Sequence, residues 1–173
     1  GPATRSRQKG RPAPGPLRDG YRDLFMEEYF IFNPTVTLRR DAFLSIGGFD
    51  PNLRLEDIDC WLRLSVGYSI ARVPETLASY RKHPGNTSRK RTMMLSAQFM
   101  TYAKFLESNP GLISDEDLRH HFRRKMKRYW RRSRKQKPWL APLVAAKVLQ
   151  SFIRSPSAVD YRRYGEKLAL LKT

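Results

Sequence analysis

Apolar side chains from Tyr21 onward recur at spacings that predict a series of short elements. Leu24, Phe25, Tyr29 and Phe30 predict a short helix running up to Asn33-Pro34, where proline disfavours helix at the residue before it. Thr35-Val36-Thr37-Leu38 is rich in β-branched residues and predicts a strand. Arg40 to Ile46 makes about two helical turns, closed by Gly47-Gly48, one of which can take the left-handed conformation of a helix stop. Phe49-Asp50-Pro51 is a turn. The next helix begins near Glu56 or Asp57 and runs through Trp61, Leu62 and Leu64 to a stop at Gly67. Tyr68 to Val73 and Leu77 to Arg81 predict two further strands, followed by the loop His83-Pro84-Gly85-Asn86. From about Arg89 the pattern predicts helices over roughly 89 to 108, 114 to 135, 138 to 154 and 157 to 171.

Composition changes this picture in several places. Residues 1 to 20 hold four prolines and four glycines with almost no large apolar side chain, which predicts an extended, mobile segment. Gly1-Pro2-Ala3 carries no initiator methionine, which reads either as a processed amino end or as one with sequence missing upstream, and no secretory signal is visible. Lysine and arginine number 34 against 16 acidic residues, a net charge of +18 that favours polyanionic partners without choosing among nucleic acid, anionic lipid and phosphate-bearing ligands. Cys60 is the single cysteine, which excludes an internal disulfide and a cysteine-based zinc cluster. The longest weakly polar run, Trp139 to Ile153, contains Lys147 and Gln150 and falls short of the roughly 20 apolar residues of a membrane span.

Candidate chemistry concentrates at Glu56-Asp57-Ile58-Asp59. Three carboxylates in four positions repel one another, and Glu56 and Asp59 share a helix face. A helix N-terminus offsets that repulsion through its free N–H groups and positive dipole end. The same environment keeps a carboxylate ionised, as a general base requires. The simpler alternative is that Asp57 caps the helix and Asp59 is an ordinary first-turn acid. Ser114-Asp115-Glu116-Asp117 is a second acidic cluster, and its Ser-x-x-Asp pattern reads as a helix cap with no further role.

Four pieces occur in fixed order between Asn33 and Ser88: Leu38-Arg39-Arg40-Asp41, Gly47-Gly48-Phe49-Asp50, Glu56-Asp57-x-Asp59-x-Trp61-Leu62-x-Leu64, and Tyr80-Arg81-x-His83. Together they resemble the second half of the catalytic domain of family 2, GT-A type glycosyltransferases, over about a third of the chain. The resemblance implies an α/β fold class: a partial GT-A-like, mixed-sheet remnant over residues 21–88, followed by a basic α-helical C-terminal region over 89–173. It implies an inverting transfer from a nucleotide-sugar donor to the hydroxyl of a saccharide or lipid-linked acceptor, with Asp57 as the catalytic base. Glu56 and Asp59 would position the acceptor or the helix, Trp61 would floor the acceptor pocket or fill the core, and Gly47 and Gly48 would shape the turn beneath it. Arg81 and His83 resemble the loop that closes over the diphosphate, where His83 either reaches a divalent metal (Mg or Mn) or is simply exposed. Such enzymes begin with a nucleotide-binding half whose strand ends in Asp-x-Asp. No such half precedes Tyr21, so the chain alone is expected to lack most of the donor pocket and to be inactive.

Between Arg119 and Lys137 lie eleven lysines and arginines interleaved with Phe122, Met126, Tyr129 and Trp130, which predicts one apolar stripe and a broad cationic face. That face, with Arg123, Arg124, Lys127, Arg128, Arg131 and Arg132, is open to three readings: a solvated surface, an anionic membrane contact, or nucleic acid, the last without a recognisable reader motif. The rival to the transferase reading is a stand-alone basic module using these residues. For the transferase, the expected location is cytoplasmic, with peripheral attachment to the inner face of the membrane as an option.

Overall fold

The computed structural model describes residues 15–16, 20–27, 31–73, 75–79, 81, 83, 85–86, 90–136, 142, 146 and 154–169. The elements in chain order are β1 (Gly15–Pro16), α1 (Gly20–Phe25), a 3-10 turn (Asn33–Thr35), α2 (Arg40–Ser45), α3 (Glu56–Gly67), β2 (Ala71–Arg72), α4 (Arg91–Ser108), α5 (Asp115–Gln136) and α6 (Ala158–Ala169). The expected α/β architecture with a mixed-sheet remnant is therefore overturned. Among the described residues, β structure is confined to one antiparallel bridge, Gly15 opposite Arg72 and Pro16 opposite Ala71.

The physical reason lies in partners rather than propensity. A strand needs a neighbour for its N–H and C=O groups. Thr35 belongs to the 3-10 turn and Val36 to Arg39 run on without a ladder, while Ser69 to Val73 and Leu77 to Ser79 find only the bridge at Ala71–Arg72. The expected helices over 40–46, 56–67, 89–108, 114–135 and 157–171 form close to those bounds, because each closes its hydrogen bonds within itself. The helix expected over 138–154 and the mobile segment over 1–20 fall almost entirely outside the described residues, as do Tyr29, Phe30 and Tyr80.

One apolar cluster fills the interior and draws on every long helix. Phe25 at the end of α1 is fully buried at its centre, with ring centroids 4.5 Å from His121, 5.1 Å from Tyr102 and 6.0 Å from Phe105. Phe122, Met126 and Tyr129 are buried on one stripe of α5, as their i, i+4, i+7 spacing predicts. α6 lies close along α4. Ser96 Oγ donates to Gly165 O at 2.6 Å, and a Cβ at Gly165 would meet Met100 Sδ at 2.7 Å and Ser96 O at 3.2 Å.

Charge fastens this cluster at two places. Arg22 of α1 grips Asp117 of α5 with two bonds of 2.8 Å. The Asp117 N–H also donates to its expected cap, Ser114 Oγ, at 3.2 Å. Beside it Glu27, at positive φ (55°), receives Lys125, Arg124 and Arg128 from α5. Lys125 is fully buried, is also bonded to Gln98 Oε1 at 2.8 Å, and lies 4.8 Å from the Tyr102 ring centroid. Burial brings the Lys125 ammonium down to about 8. Burial also opposes the ionised form of Glu27, but the three cations outweigh it and hold the carboxyl below its ordinary 4.5. Among the described residues no helix is long and apolar enough to cross a membrane.

Glu27→Gln leaves a buried ammonium without its counter-charge and is expected to cost about 3 kcal/mol, read by urea denaturation at neutral pH. Because Glu27, Asp117 and Asp160 titrate below their unfolded values of 4.5 and 3.8, their stabilisation is full above those values and fades as pH falls through and beneath them. The melting temperature should fall steadily from about pH 5 to about pH 2. Gly165→Val should lower the melting temperature by several degrees, since its side chain would push α6 off the α4 backbone at Ser96.

Candidate functional site

The acidic cluster opens α3, and the three carboxylates meet different surroundings. Glu56 is exposed at the first helical position. Asp59 is 1% exposed and fully engaged: Arg63 reaches its Oδ2 through Nε at 2.8 Å and Nη2 at 2.6 Å, and Lys104 of α4 lies 3.0 Å from its Oδ1. Asp57, between them, is half-buried. Its Oδ1 accepts the N–H of Ile58 at 2.8 Å and its Oδ2 accepts Nδ2–H of Asn33 at 2.7 Å. The helix N-cap is Leu55, which offers no side-chain acceptor, so Asp57 satisfies a first-turn donor from inside the helix rather than capping it.

The diglycine turn is built into the same unit. Gly47 and Gly48 both take left-handed conformations, with φ of 76° and 70°. Gly48 N donates to Phe43 O and Gly47 N to Leu44 O, each at 3.0 Å, the paired closure of a helix end that needs positive φ. A Cβ on Gly48 would stand 3.1 Å from the Phe43 ring, so this position excludes side chains on two counts. Arg63 finishes the turn by donating to Ile46 O at 2.5 Å and Gly48 O at 2.7 Å. Asp50 follows, accepting Asn52 N at 2.9 Å and Lys104 Nζ at 2.8 Å. The Lys104 bond, helped by that backbone donor, holds the Asp50 carboxyl below its usual range.

Trp61 is buried, with its ring 6.2 Å from and nearly perpendicular to Phe49, and it donates Nε1–H to Asn33 Oδ1 at 3.3 Å. It thus packs in the core and touches the candidate base through Asn33. Cys60 beside it is buried, and desolvation pushes its thiol up to about 11, which suits a packing side chain and not a nucleophile.

Arg81 and His83 stand on a separate exposed turn. His83 N donates to Asn86 Oδ1 at 2.6 Å, and Asn86 Nδ2 donates to Arg81 O at 3.3 Å. Among the described residues neither side chain is bonded to α3. Cations already take the lone pairs of Asp59, and among the described residues no three His, Cys, Asp or Glu side chains are grouped to hold an ion.

The cationic face of α5 divides. Arg124 and Arg128 turn to Glu27, and Arg123 Nε donates to Arg119 O at 3.0 Å. Lys127 and Arg131 are exposed, while the side chain of Arg132 lies outside the described residues.

Sequence reading does not assign Asn33, Arg63 or Lys104 to this site, and it places Asp50 in a motif without a role of its own. In sequence Asn33 marks only the residue before Pro34 and the start of the motif-bearing stretch, and its partners lie 24 and 28 positions away. Lys104 did carry a signal: it is the single cation between Thr92 and Ser108 in an otherwise largely apolar helix, and such a charge calls for a buried partner.

Asp59→Asn is expected to cost about 3 kcal/mol, because two clustered cations lose their shared counter-charge. Asp57→Asn should cost less than about 1 kcal/mol, since only a first-turn charge is removed. Paired urea titrations of the two variants check the difference.

No protein-family model, no curated protein and no solved structure matches this chain.

Proposed function

We propose that this chain carries the acceptor side of an inverting glycosyl transfer, with Asp57 as general base. The observation that supports the reading is the contrast between Asp59, buried and saturated by two cations, and Asp57, half-exposed and held by two donors. Each Asp57 oxygen uses one lone pair on its donor and keeps another, which is what a base needs to receive a proton while fixed in place. The ordered motifs around it, Gly47-Gly48-Phe49-Asp50 and Glu56-Asp57-x-Asp59-x-Trp61, resemble those of family 2 glycosyltransferases, although the helical architecture lends the reading no support.

In this reading an acceptor hydroxyl lies against Asp57. The carboxylate takes its proton as the oxygen attacks the anomeric carbon of a nucleotide sugar, and the bonding pair to the diphosphate leaves with the nucleotide. Configuration inverts because attack and departure occur on opposite faces. Arg81 is the group of this chain that the resemblance assigns to the developing diphosphate charge. Donor binding is assigned to a further unit that works with this chain.

The test is sugar transfer by the complete enzyme, followed through release of the nucleoside diphosphate. Asp57→Asn should lower kcat by about 100-fold or more while leaving the melting temperature nearly unchanged. Near-normal turnover with Asn at position 57 would overturn the assignment. Charge reversal at Lys127 and Arg131 should leave kcat intact in soluble assays; binding to nucleic acid that vanished with those changes, in a protein without transferase activity, would favour the basic-module reading instead.

A further inference from the structure

Asn33 lies between Trp61 and Asp57, and the chemistry of the three groups fixes which way its amide points. An indole Nε1–H can only donate, so the Asn33 atom 3.3 Å from it is the carbonyl oxygen. The amide is planar and its other branch then carries N–H, placed 2.7 Å from Asp57 Oδ2. Turning the amide over would set oxygen against carboxylate oxygen and N–H against N–H, two repulsive contacts in place of two bonds. Trp61 therefore selects the one orientation that serves Asp57.

Neither end of this chain is loose. Trp61 is 7% exposed and wedged edge-on against Phe49. Asn33 opens a 3-10 turn closed by Thr35 N on Phe32 O at 2.9 Å, by Thr35 Oγ1 on the same oxygen at 2.7 Å, and by Val36 N on Asn33 O at 3.1 Å. Pro34 restricts the backbone further. With Ile58 N–H on Oδ1, the two donors clamp the Asp57 carboxylate against rotation.

We infer that Asn33 is a positioning residue for the base, with Trp61 acting through it to set the plane of the Asp57 carboxylate. The inference rests on the reading of Asp57 as base. It gives Trp61 a role that neither core filling nor a pocket floor supplies: the indole N–H, rather than the ring, matters for turnover.

The experiment is a double-mutant cycle in the complete transferase with Asn33→Ala, Trp61→Phe and the pair, beside Asp57→Asn. Asn33→Ala should lower kcat about 10- to 100-fold with KM for donor and acceptor nearly unchanged. Trp61→Phe should lower kcat alone but add nothing further in the Asn33→Ala background, since its effect passes through the amide. In NMR spectra of the chain itself, the Trp61 indole N–H resonance should shift in Asn33→Ala, independently of any activity. Wild-type kcat for Asn33→Ala in an enzyme that Asp57→Asn inactivates would overturn the positioning role and leave the base standing. Additive losses from Asn33→Ala and Trp61→Phe, or an unmoved indole resonance, would overturn it as well. Turnover retained by Asp57→Asn would mark failure of the base reading, and the positioning role would fall with it.

Discussion

The site depends on a single buried carboxylate. Asp59 draws Arg63 and Lys104 onto its two oxygens, Arg63 passes the connection to the carbonyls of Ile46 and Gly48, and Lys104 passes it to Asp50. Through these contacts the end of α2, the diglycine turn, the start of α3 and the middle of α4 become one unit. A buried ion pair contributes little net stability when measured against an apolar replacement, but breaking one partner is costly, and that asymmetry favours one arrangement over its alternatives. Asp57 can stand half-exposed at the first turn of α3 because Asp59, two residues on, holds the turn in place.

A chain of net charge +18 has few carboxylates to distribute among many cations. The structure spends them as shared counter-charges: Glu27 gathers Lys125, Arg124 and Arg128, and Asp59 gathers Arg63 and Lys104. Part of the basic face that α5 displays in sequence is therefore internal wiring between α1 and α5. Among the described side chains of α5, Lys127 and Arg131 are exposed. Long-range attraction to polyanions follows net charge, which this pairing leaves unchanged.

The aromatic centre shows the same economy of polar groups. His121 is buried between Phe25 and Tyr161, with Nδ1 2.8 Å from the Tyr161 hydroxyl. Burial, reinforced by Lys125, Arg124 and Arg128 nearby, holds its imidazole well below the ordinary 6.5, so it packs as a neutral ring at physiological pH. Its neutrality lets α5 carry so many cations past the core without placing another charge within it.

The sequence by itself determined the elements whose hydrogen bonds are local. Helical bounds near 40–46, 56–67, 89–108 and 114–135, the glycine stop at 47–48 and the Ser114 cap were all legible, because spacing, propensity and capping act within a few residues. Strands were not, since Thr35 to Leu38 and Tyr68 to Val73 are β-branched or aromatic enough to pair but depend on a neighbour the sequence cannot supply. The acidic cluster was visible as a cluster, but not the division of labour within it. Only the tertiary structure decided that Asp59 is buried against Lys104, 45 positions away, that Asp57 is left half-exposed, and that Asn33 reaches it from 24 positions upstream, because solvation and partners across such separations are properties of packing rather than of local pattern.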